Sequence, residues 1–143
     1  MTVVLDTNIV LDLLVFDDPE RAPLAAALAA GELRWLATTA MRDEFERVLG
    51  YPLIVARLAA IGREAAEVLA AFDARAHMID GVPGRAPCVC SDPDDQIFID
   101  LAVAHGARLL SKDRAVLSMH RRLAAYGVAV SSNWLFEPAA NNS

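Results

Sequence analysis

Short apolar runs alternate with stretches of helical spacing along this chain, and that alternation restricts the fold more than any other feature. Thr2 to Leu5 is an apolar run broken by Asp6-Thr7-Asn8, after which Ile9, Val10, Leu13 and Leu14 recur as on one helix face: strand, turn, helix. Arg21 to Ala30 is alanine-rich and stops at Gly31, and Arg34 to Thr38 reads as a second strand. Thr39 then caps a helix with the face Met41, Phe45, Val48 and Leu49, ending at Gly50. Tyr51-Pro52 restarts a helix that runs to about Ile61, and Arg63 to Arg75 forms another. Ala76 to Ile79 is a third strand, followed by the loop Asp80 to Pro87 with its glycines and prolines. Ser91-Asp92-Pro93-Asp94-Asp95 supplies the cap and first turn of a helix carrying Ile97, Phe98, Leu101 and Ala102, which closes near Gly106. Arg108 to Ser111 is a strand, Asp113 opens a short helical stretch, Arg121 to Tyr126 makes another, and Gly127 to Val130 is the last strand, before Trp134-Leu135-Phe136.

Short apolar strands separated by helices imply a parallel sheet covered on both faces, so the expected class is α/β, a three-layer sandwich with a central parallel sheet flanked by helices. A length of 143 residues suits one core, expected over residues 1–137, with 138–143 as a flexible C-terminal tail. Active sites of open parallel sheets lie beyond the carboxyl ends of the strands. Asp6 and Asp113 stand at or just past such ends. The helix headed by Asp95 begins at the same rim, and Glu44 lies in the first turns of the helix after the second strand. Four carboxylates distant in sequence and converging there would repel one another unless a cation neutralised them. A hard divalent ion with oxygen ligands, Mg2+ or Mn2+, is the economical answer, and in pairs such ions align a water and a leaving oxygen for phosphodiester cleavage.

Composition limits the other possibilities. Hydrophobic residues make up 55% of the chain and charged residues 22%, too apolar for disorder. No run approaches the roughly 18 uncharged apolar residues a membrane helix requires, and the first residues lack the pattern of a signal peptide, so no membrane association and a cytoplasmic location are expected. Cys88 and Cys90 have neither zinc-knuckle nor redox-pair spacing and read as buried or inert thiols, while His77, His105 and His120 are too scattered for a histidine metal site. A net charge of -6 argues against a protein that coats nucleic acid electrostatically, an objection that metal loading of the acids softens without removing.

Asp6-Thr7-Asn8 after the first strand, Thr39 followed by Glu44, Asp92-Pro93-Asp94-Asp95 heading an apolar helix, and Ser111-Lys112-Asp113 after a strand together resemble the four motifs of PIN-domain nucleases, in order and spacing, across almost the whole chain. The chain is similar in particular to the stand-alone PIN domains that act as VapC-type toxins of bacterial toxin-antitoxin pairs. The resemblance implies Asp6, Glu44, Asp95 and Asp113 as catalytic ligands of one or two Mg2+ or Mn2+ ions, with Asn8 and Ser111 orienting them by hydrogen bonds. It also implies an RNA substrate, a cognate antitoxin and a homodimer. Most PIN chains have Thr where Ser111 stands, and the hydroxyl survives the change.

Plainer roles compete at several positions. Asp6 alone could be only a helix cap, and Asp92 before Pro93 is read as a cap. Asp94 is read as a first-turn acid favoured by the helix dipole, with Asp95 preferred over it as ligand because Ile97-Phe98-Ile99 follows in the family pattern. Asp12, Asp17, Asp18 and Asp100 are read as surface acids. Lys112 and Arg114 could touch a phosphate or balance local charge. Trp35, Phe98 and Trp134 are read as core rather than stacking platforms. Three other functions compete: a non-catalytic PIN-like module held by a protein partner; a receiver-type Mg2+-binding phosphoacceptor, which fits poorly because a single Asp6 follows the first strand where receivers present two adjacent acids; and a DNA-directed nuclease of the same metal chemistry, since recognition of the 2'-hydroxyl leaves no legible motif.

Overall fold

The computed structural model describes residues 1–134. Five strands, β1 (Thr2–Leu5), β2 (Arg34–Ala37), β3 (Ala76–Met78), β4 (Arg108–Leu110) and β5 (Val130–Ser131), form one sheet in the order β3-β2-β1-β4-β5. Every pairing is parallel. β1 is central because Val3, Val4 and Leu5 are apolar on both sides of the pleat, and all are buried. The strand order reverses next to β1, which places a crevice at the carboxyl ends of β1 and β4.

Helices α1 (Thr7–Leu14), α2 (Ala22–Ala29), α3 (Thr39–Leu49), α4 (Pro52–Ile61), α5 (Ala65–Arg75), α6 (Gln96–His105), α7 (Arg114–Leu117) and α8 (His120–Ala124) connect the strands. α1 and α6 present nearly continuous apolar surfaces, so Ile9, Phe98, Ile99 and Leu101 join the strand residues in one core. Phe72 of α5 meets Trp35 of β2 edge-on at 4.7 Å and stacks with Phe45 of α3 at 5.4 Å, which ties helices to sheet on the β2 side. α4 ends at Gly62, whose φ of 68° is the left-handed conformation that lets the chain turn at once toward α5.

Several boundaries and environments differ from the sequence expectation. Thr38, not Thr39, caps α3, its hydroxyl accepting from the Met41 N–H at 3.4 Å. The last strand is Val130–Ser131 rather than Gly127 to Val130, because Gly127, at φ 77°, still belongs to the turn that closes α8. That helix spans His120–Ala124, and Tyr126 and Gly127 complete only turns onto Leu123 and Ala124. Arg21 ends a short 3-10 turn, Pro19–Arg21, that leads into α2. Trp35 and Phe98 are core residues as expected. Trp134 is partly buried, with the Arg108 guanidinium 4.7 Å above its ring. Cys88 and Cys90 are buried and unbridged, and all three histidines are exposed. The expected boundary at 137 and the tail 138–143 lie outside the described residues. Among the described residues, no helix is long and apolar enough to cross a membrane.

Candidate active site

Asp6 follows β1 immediately and does two things at once. One carboxylate oxygen, Oδ1, accepts from the Ile9 N–H at 3.1 Å and caps α1, and the other accepts the hydroxyl proton of Ser111. Capping and a place in the site are therefore compatible. The side chain is buried, and burial raises its pKa above the ordinary carboxylate value; the hydrogen bonds from Ser111 and Ile9 oppose that rise, and the Asp113 charge adds to it. Ser111, fully buried after β4, also accepts from the Asp113 N–H at 3.0 Å. One hydroxyl thus links Asp6 to the backbone that carries Asp113.

Asp113 caps α7 through the Ala115 N–H at 2.9 Å. Across from it, the turn Pro93–Asp95 presents Asp92 and Asp95. One carboxylate oxygen from each of Asp92, Asp95 and Asp113 lies within 4.8 Å of the others. Asp95 Oδ2 is buried with no hydrogen-bond partner among the described residues. Desolvation above all, then a hydrogen bond shared with Asp113 and the charges of Asp113, Asp92 and Asp6, pushes the Asp95 carboxyl up to about 8. An orphaned carboxylate oxygen facing other carboxylates costs stability when ionised, and an all-oxygen donor set of this kind fits a hard divalent cation.

Glu44 projects from α3 into the same space and accepts the hydroxyl proton of Thr7. Asp6, Glu44, Asp95 and Asp113 line one cavity of about 550 Å³, whose remaining wall, apart from Thr7 and Asn8, is largely apolar and includes Leu11, Val48, Leu53 and Phe98. The structure therefore brings Asp95 and Asp113 into direct proximity, connects Asp6 to them through Ser111, and sets Glu44 on the cavity wall outside the tight cluster. Asn8 lines the cavity with an exposed side chain, and Thr7 is the residue of that turn that bonds an acid. Asp94 is exposed.

Three acids have roles that their sequence context does not show. Asp92 is indeed a cap, accepting from the Asp94 N–H at 3.0 Å, yet its carboxylate also joins the cluster; the Asp-Pro pattern explains the first role and hides the second. Asp12 is buried, not a surface acid. It receives Lys112 Nζ at 2.8 Å and Arg21 Nε at 3.2 Å, and Arg21 in turn donates to the Ser132 carbonyl at 2.5 Å and to Asn133 Oδ1 at 3.1 Å. Asp100 is half-buried and holds the long loop, accepting from the Ala86 N–H at 2.8 Å and from Gln96 Nε2 at 2.9 Å.

No curated protein matches the sequence. The family model described as PIN domain matches residues 2–115, a span that contains every acid described above, and the receiver reading is thereby set aside. With well over half its length matched, the chain belongs to the PIN domain family, whose members are generally metal-dependent nucleases.

Proposed function

We propose that the protein is a Mg2+- or Mn2+-dependent endoribonuclease that acts as the toxin of a toxin-antitoxin pair, works as a homodimer and is restrained by a cognate antitoxin. The observation that carries the nuclease reading is the cluster of Asp92, Asp95 and Asp113 oxygens with a buried, unpartnered Asp95 Oδ2, joined to Asp6 by Ser111. The narrower reading, RNA and a toxin role, rests on the sequence resemblance to VapC-type toxins.

Asp6, Glu44, Asp95 and Asp113 would hold the metal, with Asp92 as an additional oxygen donor. When bound, a hard divalent ion supplies charge for the phosphoryl oxygens and lowers the pKa of water. The protein's own contribution is placement. Ser111 fixes the Asp6 carboxylate and the Asp113 backbone relative to each other, and Thr7 fixes Glu44. Asp6 and Asp95 are partly withdrawn from water, so each is driven toward neutralisation by proton or metal. The apolar part of the wall, with Leu53 and Tyr51 open to solvent, would offer a surface for an unstacked base. Asn8, exposed on the cavity lining, would help to orient the ligands, as the resemblance implies.

The test is incubation of the purified protein with single-stranded RNA, structured RNA and single-stranded DNA, with Mn2+ and with EDTA, alongside Asp6→Asn. Metal-dependent internal cleavage of RNA, lost in Asp6→Asn, is the expected result. Cleavage unaffected by EDTA, or equal in the variant, would refute the assignment. Light scattering at micromolar concentration tests the dimer, and a monomer there would count against it.

A further inference from the structure

A second cavity, of about 510 Å³, lies where the carboxyl end of α1 meets α4 and α5. Its wall carries Arg21, Arg57, Arg63 and Arg75 together with Asp17 and Asp18. Arg21 is neutralised by Asp12, which leaves the other arginines in excess over the two aspartates. Among the described residues neither Arg57 nor Arg75 forms an ion pair. Arg63 is braced by donating from Nη1 to the Leu14 carbonyl at 2.8 Å, and the Arg57 guanidinium sits 5.7 Å from the Phe16 ring centroid. Two of the arginines are thus held in place without using up their charge.

The first cavity has the opposite character. Among the described residues no Lys or Arg lines it, and Lys112, beside Asp113 in sequence, is turned to Asp12. In a chain of net charge -6, a strand bent into the acidic cavity finds no cation there for the phosphates that flank the cleaved one. The two cavities adjoin along the same pair of helices. α1 gives Leu11 to one and Leu13 to Val15 to the other, and α4 gives Pro52 to Ile54 to one and Arg57 and Ile61 to the other. Leu53 and Arg57 are one helical turn apart, about 6 Å along the axis.

We infer that the arginine-lined cavity at the carboxyl end of α1 binds the phosphodiester backbone of the nucleic-acid strand whose cleaved linkage lies among the acids. The inference rests on the nuclease reading and adds to it the path of the strand, along the α1–α4 seam. Arg57 and Arg75 donate to phosphate oxygens with their planar forks, and Arg63 supports them. Hydrogen bonds of this kind set register and affinity without reading sequence.

The test is fluorescence anisotropy with a labelled single-stranded 12-nucleotide RNA, using Asp113→Asn in Mn2+ as the parent to suppress cleavage. Arg57→Ala and Arg75→Ala, each added to that parent, are expected to weaken binding roughly five- to tenfold at low salt. Each should also flatten the dependence of log Kd on log salt by about 0.7 for every phosphate that the missing arginine no longer neutralises. Arg121→Ala, the same charge change on exposed α8, controls for net charge and should bind like the parent. Parent affinity retained in both Arg57→Ala and Arg75→Ala would overturn this inference alone. A parent that binds no RNA, with a wild type that cleaves none, would overturn the nuclease reading as well. If polyglutamate of equal charge competes as well as the RNA and loses affinity in the same variants, the cavity is a docking site for an acidic protein and the inference fails.

Discussion

Lys112 stands between Ser111 and Asp113 in sequence, yet its ammonium points away from the acidic cavity and rests on Asp12, 2.8 Å from Oδ2 and 3.0 Å from Oδ1. Asp12 also holds the buried Arg21, so one carboxylate of α1 fixes the turn after β4 and the segment at Ser132 and Asn133. The arrangement keeps the only lysine of the chain off the lining of the acidic cavity. Removing Asp12 strands a guanidinium that is almost fully enclosed, whereas Lys112 is partly exposed and can find water. Asp12→Ala is therefore expected to lose about 3 kcal/mol or more of unfolding free energy, and Lys112→Met less than about 1 kcal/mol. Urea denaturation measures both, and equal losses would show that Arg21 does not depend on Asp12.

The acids divide by position. Asp6→Asn, Glu44→Gln, Asp95→Asn and Asp113→Asn are each expected to remove most cleavage, since loss of a ligand weakens both water activation and stabilisation of phosphoryl charge. Asp94→Asn and Asp43→Asn, neighbours of Asp95 and Glu44 outside the cavity, should retain wild-type rates. Asp92→Asn keeps the cap and loses only the charge, so a higher metal requirement with a folded protein is expected. An inactive Asp94→Asn beside an active Asp95→Asn would exchange their assignments.

Legibility in the sequence follows from how local each cause is. β1, β2 and β4 are clear because central strands are apolar on both faces, and Asp6 and Asp113 are clear because each closely follows such a run. The register of β5 is not, since only two residues pair and the pairing is decided by where the α8 turn ends. Burial of Asp12 has no local signal at all: its partners lie 9 and 100 residues away, and an acid on a helix next to Leu11 and Leu13 looks solvated until Arg21 and Lys112 arrive. The second role of Asp92 is masked for a different reason, because its cap is a sufficient local explanation.

Ser111 offers a test of the link between two acids. In Ser111→Ala the Asp6 carboxylate loses its hydroxyl donor and the Asp113 N–H loses its acceptor, both beside a fully buried position. The expected cost is about 1–3 kcal/mol in stability. A raised metal requirement should accompany it, because Asp6 and the Asp113 backbone are no longer tied together. A variant that is less stable but takes up Mn2+ at wild-type concentrations would make Ser111 a packing residue only.

The raised carboxyl of Asp95 fixes the sign of a pH effect in the metal-free protein. In the unfolded chain this group loses its proton near the ordinary value of 3.8, but the folded protein keeps it until about 8. Between those values the native state binds more protons than the unfolded state, so stability in EDTA falls as pH rises through that window and levels off above it. Asp95→Asn cannot ionise and should lose most of that slope. Metal reverses the penalty: it replaces the proton, so its affinity climbs with pH up to about 8, and at a hundredfold excess over Kd it adds about 2.7 kcal/mol. Thermal melts from about pH 5 to 9, with EDTA and with millimolar Mn2+, for wild type and Asp95→Asn, measure all of this. If the wild type melts at the same temperature across the range in EDTA and Mn2+ moves neither protein, the carboxylates do not crowd one another and do not form a metal site.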